Sequence, residues 1–586
     1  MNISRIHDLL PHQLQKYPQP DCLAAKVNGD WVKYSTQDVQ DTANSLSLGL
    51  LKLGLGKNDK VAIISMNRPE WVMTDFGIQQ IGGISVPMYP TITVEDYRYI
   101  FNDAEVKVVF VADQELYNKV VAATMGMESV KEIYTFDKVQ GAKHWSEVIE
   151  LGKNDDPAKL EPLKAAVTPD DILTLIYTSG TTGSPKGVML THGNLLSNVT
   201  GTVPYVPVDN RHRALSFLPL SHIFERMLLY LYMRIGVSIY YAESIEKVAE
   251  NLKEVQPHVF TTVPRLLEKV YDKIVAKGLE LTGIKRRLFF WALELGLKYD
   301  TREDQGWWYN KQLSLANKLI FSKWREALGG NVIAIVSGGA ALQPRLARVF
   351  WSANIRVMEG YGLTETSPVI AVNRWEPENN MIGTVGMAID GVEVKIADDG
   401  EVLSRGPHIM KGYYKKPEQT AEAIDADGWF HTGDIGELIE GKFLKITDRK
   451  KEMFKTSGGK YIAPQLIENK LKESVVIEQV MVVGEGQKYA SALVVPSFLG
   501  LQDYCQFKGI PYTTDAEMIA KPEIIDKFQR EIEKANENLA QYETIKKFRL
   551  LPKMWTIESG ELTPKLSVKR RVIATKFKDL IDSMYS

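Results

Sequence analysis

The residues best suited to chemistry gather first in Tyr177-Thr178-Ser179-Gly180-Thr181-Thr182-Gly183-Ser184-Pro185-Lys186-Gly187-Val188, directly after the apolar run Ile172-Leu173-Thr174-Leu175-Ile176. Hydroxyls, glycines and one lysine behind a strand-like run put many small donors on a backbone that can approach a polyanion closely. The expectation is a triphosphate clamp. The spacing is not Gly-x-x-x-x-Gly-Lys-Ser/Thr, so a GTPase or motor ATPase loses its main support. A second group, Tyr361-Gly362-Leu363-Thr364-Glu365-Thr366, places a ring, a hydroxyl and a carboxylate in one short turn. Such a ring can stack on adenine, Thr364 can donate to a phosphate, and Glu365 can hold Mg²⁺ through oxygen. A third, Trp429-Phe430-His431-Thr432-Gly433-Asp434, ends in a carboxylate suited to accept both ribose hydroxyls. Each group alone also reads as an ordinary polar turn. Their order along one chain is the informative part.

These groups need a scaffold that delivers them to one place. Short β-branched runs from Val61 to Ser65 and Val106 to Val111 alternate with helix-compatible segments such as Asp113 to Thr124, the rhythm of an α/β protein with parallel sheets. Further runs lie at Leu173 to Tyr177, Ala214 to Leu218, Val237 to Tyr241, Val259 to Val263, Val332 to Val336 and Ile355 to Met358. Several end in polar or glycine-rich loops, among them Pro219-Leu220-Ser221-His222, Ser337-Gly338-Gly339 and Glu359-Gly360-Tyr361-Gly362. Ligands of open parallel sheets sit beyond the carboxyl ends of the strands, so these loops are expected to converge on one crevice. Between Arg265 and Gly329 the pattern turns helical, charged and aromatic, as in Ile284-Lys285-Arg286-Arg287-Leu288-Phe289-Phe290-Trp291. It reads either as an amphipathic surface meeting a membrane or an apolar substrate, or as a helical hairpin packed on the core with a basic outer face; the second is favoured. From Val385 glycine-rich short strands predict a small β subdomain. Beyond Asp448-Arg449-Lys450-Lys451, strands at Val480 to Val483 and Ala492 to Val495 and a charged helix over Lys521 to Leu539 predict a compact C-terminal α+β domain.

Bulk properties bound the answer. At 586 residues the chain has room for three or four units of about 150 residues. Lys+Arg of 71 against Asp+Glu of 73 gives a net charge of −2, so no global basic field argues for nucleic acid. Only Cys22 and Cys505 are present, which excludes a disulfide framework and a cysteine-based metal cluster and predicts a reducing, cytoplasmic setting. No apolar run approaches the ~18 residues of a membrane span, and the N-terminus lacks the apolar core of a signal peptide. A soluble protein, at most peripheral to a membrane, is expected.

Taken together, the loop from Tyr177, the turn Gly360-Tyr361-Gly362-Leu363-Thr364-Glu365, and Gly428-Trp429-Phe430-His431-Thr432-Gly433-Asp434 through Asp448-Arg449-Lys450-Lys451 resemble the acyl-adenylate-forming superfamily. Within it, Leu218-Pro219-Leu220-Ser221-His222-Ile223-Phe224-Glu225-Arg226 and Glu561-Leu562-Thr563-Pro564 resemble the long-chain fatty-acyl-CoA ligases, and the similarity runs over nearly the whole chain. The resemblance implies a large N-terminal α/β region over 1–449 and a mobile C-terminal α+β domain over 450–586. It also implies two steps on one site. A fatty carboxylate attacks the α-phosphate of ATP and expels pyrophosphate; the thiol of coenzyme A then attacks the acyl-adenylate and expels AMP. The partners implied are a fatty acid, ATP with Mg²⁺, and CoA.

By the same resemblance, Thr178, Ser179, Gly180, Thr181, Thr182, Gly183 and Lys186 would hold the phosphates, with Thr178 and Glu365 as metal ligands. Gly338, Gly339, Tyr361 and Gly362 would border adenine, Thr364 would bind the α-phosphate, and Asp434 and Arg449 would hold ribose. His222 would lie beside the reacting carboxylate. Lys451 would be the hinge about which the C-terminal domain turns between half-reactions, bringing Gly458 and Gly459 to the pantetheine. The adenylation lysine is Lys569 or Lys565: Lys565 fits the wider superfamily's spacing, whereas Lys569, slightly preferred, fits the Lys-Arg ending of the long-chain subgroup. Some bacterial relatives gate the acyl tunnel with a tryptophan four residues after the histidine; this chain has Arg226 there, so that gate does not carry over. The competing readings are a ligase for medium-chain or aryl acids or for a carrier-protein thiol, and a non-catalytic fatty-acid or nucleotide-binding relative. Retention of Lys186, Glu365, Asp434, Arg449 and a C-terminal lysine argues against the last.

Overall fold

The computed structural model describes residues 3–178, 185–474, 476–537, 539–556, 558–562 and 568–586. Two large sheets face each other across a shared layer of helices. In the first, Leu23–Val27, Ser238–Tyr241, Arg213–Ser216, Val259–Thr262, Ala334–Ser337 and Arg356–Gly362 lie parallel side by side. Antiparallel strands flank it, Asp30–Tyr34 on one side and Val369–Val372 followed by Met387–Ala388 on the other. In the second sheet, Ile172–Thr178, Ile84–Met88, Lys60–Ile64, Val106–Val111 and Glu132–Thr135 run parallel. Lys186–Thr191 then returns antiparallel beside Ile172–Thr178.

Alternation along the strands explains the layering. Val61 and Ile63 point into the same buried cluster as Ala334 and Met358 of the other sheet, whereas Ala62 and Ile64 face the outer helices with Tyr97 and Phe101. Residues two apart share a face of a strand, so each sheet offers one apolar surface to the central layer and one to an outer layer. The central layer includes Pro69–Gln80 and Ile223–Ile235, both buried along almost their whole length. The opposite face of the first sheet, with Phe260 and Ile335, is covered by Tyr271, Phe289, Trp324 and Phe350 from the helical segments over 264–352. The region from Arg265 therefore packs on the core, as the favoured reading of its sequence expected.

Four antiparallel strands, Glu393–Ile396, Glu401–Arg405, Phe430–Ile439 and Phe443–Arg449, form the small β unit. After it come the hairpin Phe454–Lys455 and Tyr461–Ile462, then the sheet of Ile477–Val483, Ala490–Pro496 and Ile545–Leu550 with its own apolar cluster. Ion pairs and hydrogen bonds from Arg265 to Glu478 and from Arg345 Nη2 to the Lys472 carbonyl (3.4 Å) seat this last unit against the rest.

The position of Arg226 has a purpose of its own. Its guanidinium is fully buried and donates to Asp75 Oδ1 (2.5 Å), Ser85 Oγ (2.6 Å), Thr174 Oγ1 (2.8 Å) and Tyr230 Oη (2.8 Å). A buried ion pair is tolerated only when the remaining donors are satisfied in this way. Arg226 ties a central helix to Pro69–Gln80 and to two strands of the second sheet.

Candidate active site

The strand Arg356–Gly362 carries the turn residues further than the sequence reading placed them. Tyr361 and Gly362 are its last members, paired antiparallel with Ala371 and Val369, and the turn proper is the short 3-10 helix Thr364–Thr366. Gly362 is required there, because a Cβ would lie 1.7 Å from the Pro368 carbonyl oxygen. The strand ends at the carboxyl edge of the first sheet, next to Ala334–Ser337, whose continuation is Gly338-Gly339. A Cβ on Gly338 would meet the Phe224 ring at 3.0 Å, so the glycine lets this backbone close on the ring. Phe224 is held in turn by His222, the N-cap of Ile223–Ile235, whose Nδ1 accepts from the Phe224 N–H (3.1 Å).

Tyr361 and Asp434 meet directly. The phenol donates to Asp434 Oδ2 at 2.7 Å, and Arg449 Nε lies 3.6 Å from Oδ1. Asp434 and Arg449 are register partners on adjacent strands, so their side chains share one face of the small β unit. Burial raises the Asp434 carboxyl above its ordinary range, opposed by the Arg449 charge and the Tyr361 hydrogen bond. Burial also pushes the Tyr361 phenol well up, which keeps it a neutral donor. Asp434 thus presents a nearly buried carboxylate braced by a phenol and a guanidinium.

A second group forms around Glu365. Tyr413 Oη donates to Glu365 Oε1 (2.9 Å), while Lys186 Nζ lies 4.9 Å from the centre of the Tyr413 ring. The pairing of Gly412–Tyr413 with Lys186–Thr191 produces this contact, and the Met410 N–H to Glu365 carbonyl bond (2.8 Å) fastens the same loop to the turn. Thr178 and Lys186 are register partners at the mouth of the loop. The expected clamp residues Ser179, Gly180, Thr181, Thr182 and Gly183 lie outside the described residues. Thr364 is buried at the start of its turn.

Among the described residues no group of three or more His, Cys, Asp or Glu could hold a metal by itself. Glu365 offers a carboxylate oxygen, the donor type that suits Mg²⁺, which keeps waters and is held by one or two carboxylates plus substrate phosphates.

The C-terminal candidates lie elsewhere. Lys451 is exposed just after Arg449, and the preceding Asp448 ties the strand end to the next unit, accepting from the Arg449 N–H (2.6 Å) and the Gln465 N–H (3.1 Å). Burial pushes the Asp448 carboxyl up to about 6. Gly458 and Gly459 form the exposed tip of the hairpin between Phe454–Lys455 and Tyr461–Ile462, Gly459 with φ of +76°. Lys569 is exposed, and its N–H donates to the Glu561 carbonyl (2.7 Å); Lys565 lies outside the described residues.

Three buried carboxyl groups or contacts escaped the sequence reading. Tyr413, the phenol on Glu365, belongs to a two-residue strand with no motif around it. Glu359 is buried two residues before Tyr361, raised by burial to about 8 and holding the Leu342 N–H. Glu225, raised by burial to about 7, accepts from Ser216 Oγ (2.5 Å) and Thr261. The signal available for both glutamates was only their place inside or beside apolar runs.

A profile described as AMP-binding enzyme matches residues 10–414, and one described as AMP-binding enzyme C-terminal domain matches residues 452–586. The fold is that of the adenylate-forming enzymes, and the chain belongs to the AMP-binding enzyme family. It is 35% identical over 567 residues, 96% of this chain and 93% of the relative, to the long-chain-fatty-acid–CoA ligase FadD15 of Mycobacterium bovis. It is 31% identical to the peroxisomal long chain acyl-CoA synthetase 7 of Arabidopsis thaliana, covering 100% of this chain and 87% of the relative. Among solved structures, the adenylation domain of a carboxylate reductase from Mycobacterium chelonae aligns with a TM-score of 0.78 at 20% identity, covering 99% and 91% of the two chains. A Mycobacterium tuberculosis fatty acyl CoA synthetase aligns at 0.65 and 22%, covering 98% and 99%.

Proposed function

We propose that this protein is a long-chain fatty acid–CoA ligase that forms AMP. One observation carries the nucleotide half of the reading: Tyr361, Asp434 and Arg449, from three strands, meet in a braced carboxylate beside the Gly338 backbone. The acyl half is supported by relatives with long-chain names at 31–35% identity across nearly the full chain.

The residues divide the work as follows. Adenine lies between the Tyr361 ring and the Gly338-Gly339 backbone, bordered by Gly362, and Asp434 accepts from the ribose hydroxyls with Arg449 alongside. Thr364 donates to the α-phosphate. Lys186 and the loop from Thr178 through Ser179, Gly180, Thr181, Thr182 and Gly183 cradle the outgoing phosphates. Glu365 and Thr178 would hold Mg²⁺, which would offset the negative charge that builds on pyrophosphate. Bringing a carboxylate to an α-phosphate joins two anions, and Lys569 or Lys565 from the C-terminal domain supplies the compensating charge. His222 lies beside the carboxylate. The chain divides at 449/450; rotation about Lys451 then replaces the lysine with the Gly458-Gly459 tip, where the thiol of CoA attacks the acyl carbonyl and AMP leaves. The free, buried Cys22 and Cys505 suit a reducing cytoplasm. Among the described residues no helix is long and apolar enough to cross a membrane.

The test is pyrophosphate release with ATP, Mg²⁺ and saturated acids from short to long, each with and without CoA. Turnover that peaks at long chains and is sustained only with CoA is expected; ATP binding without pyrophosphate from any acid would refute the reading.

A further inference from the structure

One buried carboxylate on the small β unit takes no part in the reaction proposed above. Glu401 opens the strand Glu401–Arg405, which pairs antiparallel with Phe430–Ile439 across a bulge between Glu401 and Leu403. It is 3% exposed. Oε1 accepts from the Gly433 N–H (2.8 Å), while Oε2 accepts from Lys450 Nζ (2.8 Å) and meets His431 Nδ1 at 3.1 Å. Lys450 is held a second time by Asp399 Oδ2 at 2.6 Å, and its own N–H donates to the Gly433 carbonyl (2.8 Å). Gly433 and Lys450 thus close a frame with Glu401 behind it. Burial opposes a charge at this place, yet the bonds from Lys450, His431 and the Gly433 N–H outweigh it and hold the Glu401 carboxyl below its ordinary range.

This frame supports the Asp434–Arg449 pair. Gly433 immediately precedes Asp434 and Lys450 immediately follows Arg449, and Asp434 and Arg449 are register partners on adjacent strands. Glu401 therefore grips the next residue on each strand. Gly433 has φ of +72°, so its backbone, with N–H and carbonyl both engaged, sets the direction in which the chain enters Asp434. A carboxylate that served only the sheet would resemble Glu437, which pairs with Lys445 at 3.0 Å on the exposed side of the same two strands; such pairs contribute little. Glu401 is instead withdrawn from water, and each of its partners lies within three residues of Asp434 or Arg449. Lys450 also precedes Lys451, the hinge of the proposed reaction. Beyond Lys451, Glu452 Oε2 accepts from Arg570 Nε (3.1 Å), and Arg570 in turn pairs with Glu468 of the C-terminal unit. The residues on either side of Lys451 are thus anchored in different units, with Glu401 as the anchor on the nucleotide side.

We propose that Glu401 is a positioning residue that holds the ribose-binding pair Asp434–Arg449 and the residue before the hinge in one frame, so that nucleotide binding and order at the hinge are linked. Linkage is reciprocal: a nucleotide that settles on Asp434 and Arg449 steadies Lys450, and loosening Lys450 weakens the nucleotide by the same free energy. The proposal rests on the ribose site of the reading above. It is measured with AMP alone, so it stands or falls without the fatty acid, and Asp434→Asn reports separately on the ribose site itself.

The test is titration calorimetry of the full chain with AMP, together with hydrogen exchange over 431–434 and 449–453 with and without AMP. The wild type is expected to bind AMP and to gain protection in both segments. Glu401→Gln keeps an acceptor for the Gly433 N–H but loses the charge that holds Lys450. It is expected to weaken AMP binding about tenfold, the loss of one charge-assisted hydrogen bond, and to abolish the AMP-dependent protection over 449–453. Lys450→Met, at an exposed position, is expected to lose the same protection and about threefold in affinity, whereas Lys450→Arg retains both. The double variant should lose about tenfold, where independent sites would give about 30-fold. Lys445→Met, which breaks the exposed pair on the same strands, should match the wild type. Circular dichroism checks folding, and the Lys450 variants decide the matter if Glu401→Gln does not fold. Weakening by Asp434→Asn, with Glu401→Gln and Lys450→Met binding within about twofold of wild type, would overturn the proposal and leave the ribose site standing. Protection over 449–453 that ignores AMP in the wild type would also overturn it. Absence of AMP binding by the wild type would remove the ribose site and the proposal together.

Discussion

Replacing Asp434 with asparagine separates a braced ribose acceptor from an ordinary buried aspartate. The carboxylate is 7% exposed and offers oxygens on both sides, one to Tyr361 and one toward Arg449, with lone pairs left for two ribose hydroxyls. Hydrogen bonds to a charged acceptor are worth about 1.5–3 kcal/mol and neutral ones about 0.5–1.5. Asparagine removes the charge, keeps one acceptor and turns a donor toward a second hydroxyl, so the loss for two hydroxyls is about 3 kcal/mol. That corresponds to about 10²-fold in kcat/KM for ATP. The pH dependence has a definite sign: burial raises the Asp434 carboxyl, so ribose binding is complete above that raised value and is lost as pH falls through it. The wild-type KM for ATP should therefore climb on the acid side at a higher pH than an exposed aspartate would give, and the asparagine variant should be flat there. Pyrophosphate release at varied ATP, over a pH series, reads both effects. A folded variant with ATP kinetics within about twofold of wild type, and the same pH profile, would refute the assignment.

Other expectations follow from the same physics. Glu359, raised by burial to about 8, keeps a proton in the folded state that the unfolded chain releases near the ordinary carboxyl value. Its contribution to stability is whole below that ordinary value and declines by about 1.4 kcal/mol per pH unit as pH rises to about 8. Glu359→Gln should remove this slope; urea midpoints for both proteins near about pH 5 and about pH 8 should diverge, and a pH-independent difference would be against it. Arg226→Leu leaves Asp75 buried without its guanidinium and should cost about 3–5 kcal/mol, read as a lowered denaturation midpoint. Lys569→Ala and Lys565→Ala should part company: the adenylation lysine costs about 10²-fold or more in pyrophosphate release, while its neighbour leaves the rate near wild type.

Much of this was legible in the residues, for identifiable reasons. The parallel strands at Val106–Val111 and Val259–Thr262 were readable because strands buried on both faces are rich in β-branched and aromatic residues, Lys107 alone standing out of the two. Tyr361 and Asp434 stood out because ring and carboxylate types suit a nucleotide. That they touch follows from long-range placement, which spacing does not reveal. Tyr413 was illegible: its contact with Glu365 depends on a short antiparallel pairing with Lys186–Thr191, more than two hundred residues earlier. Arg226 was read only as a missing tunnel gate, because its partner Asp75 lies 151 positions away and no local pattern links them. Glu359 and Glu225 were hidden for a related reason, since a carboxyl inside an apolar stretch looks like a solvated residue until burial is known. The helical region from Arg265 was readable as a packed hairpin, but which indoles remain outside depends on the contact between its two arms.

The central claim is that a fatty carboxylate attacks the α-phosphate of ATP and that CoA then displaces AMP. Palmitate carrying heavy oxygen in its carboxylate, turned over with ATP, Mg²⁺ and CoA, tests it most directly when the products are weighed by mass spectrometry. One labelled oxygen in AMP and none in pyrophosphate is the predicted result; label in inorganic phosphate, with ADP as the nucleotide product, would contradict the account.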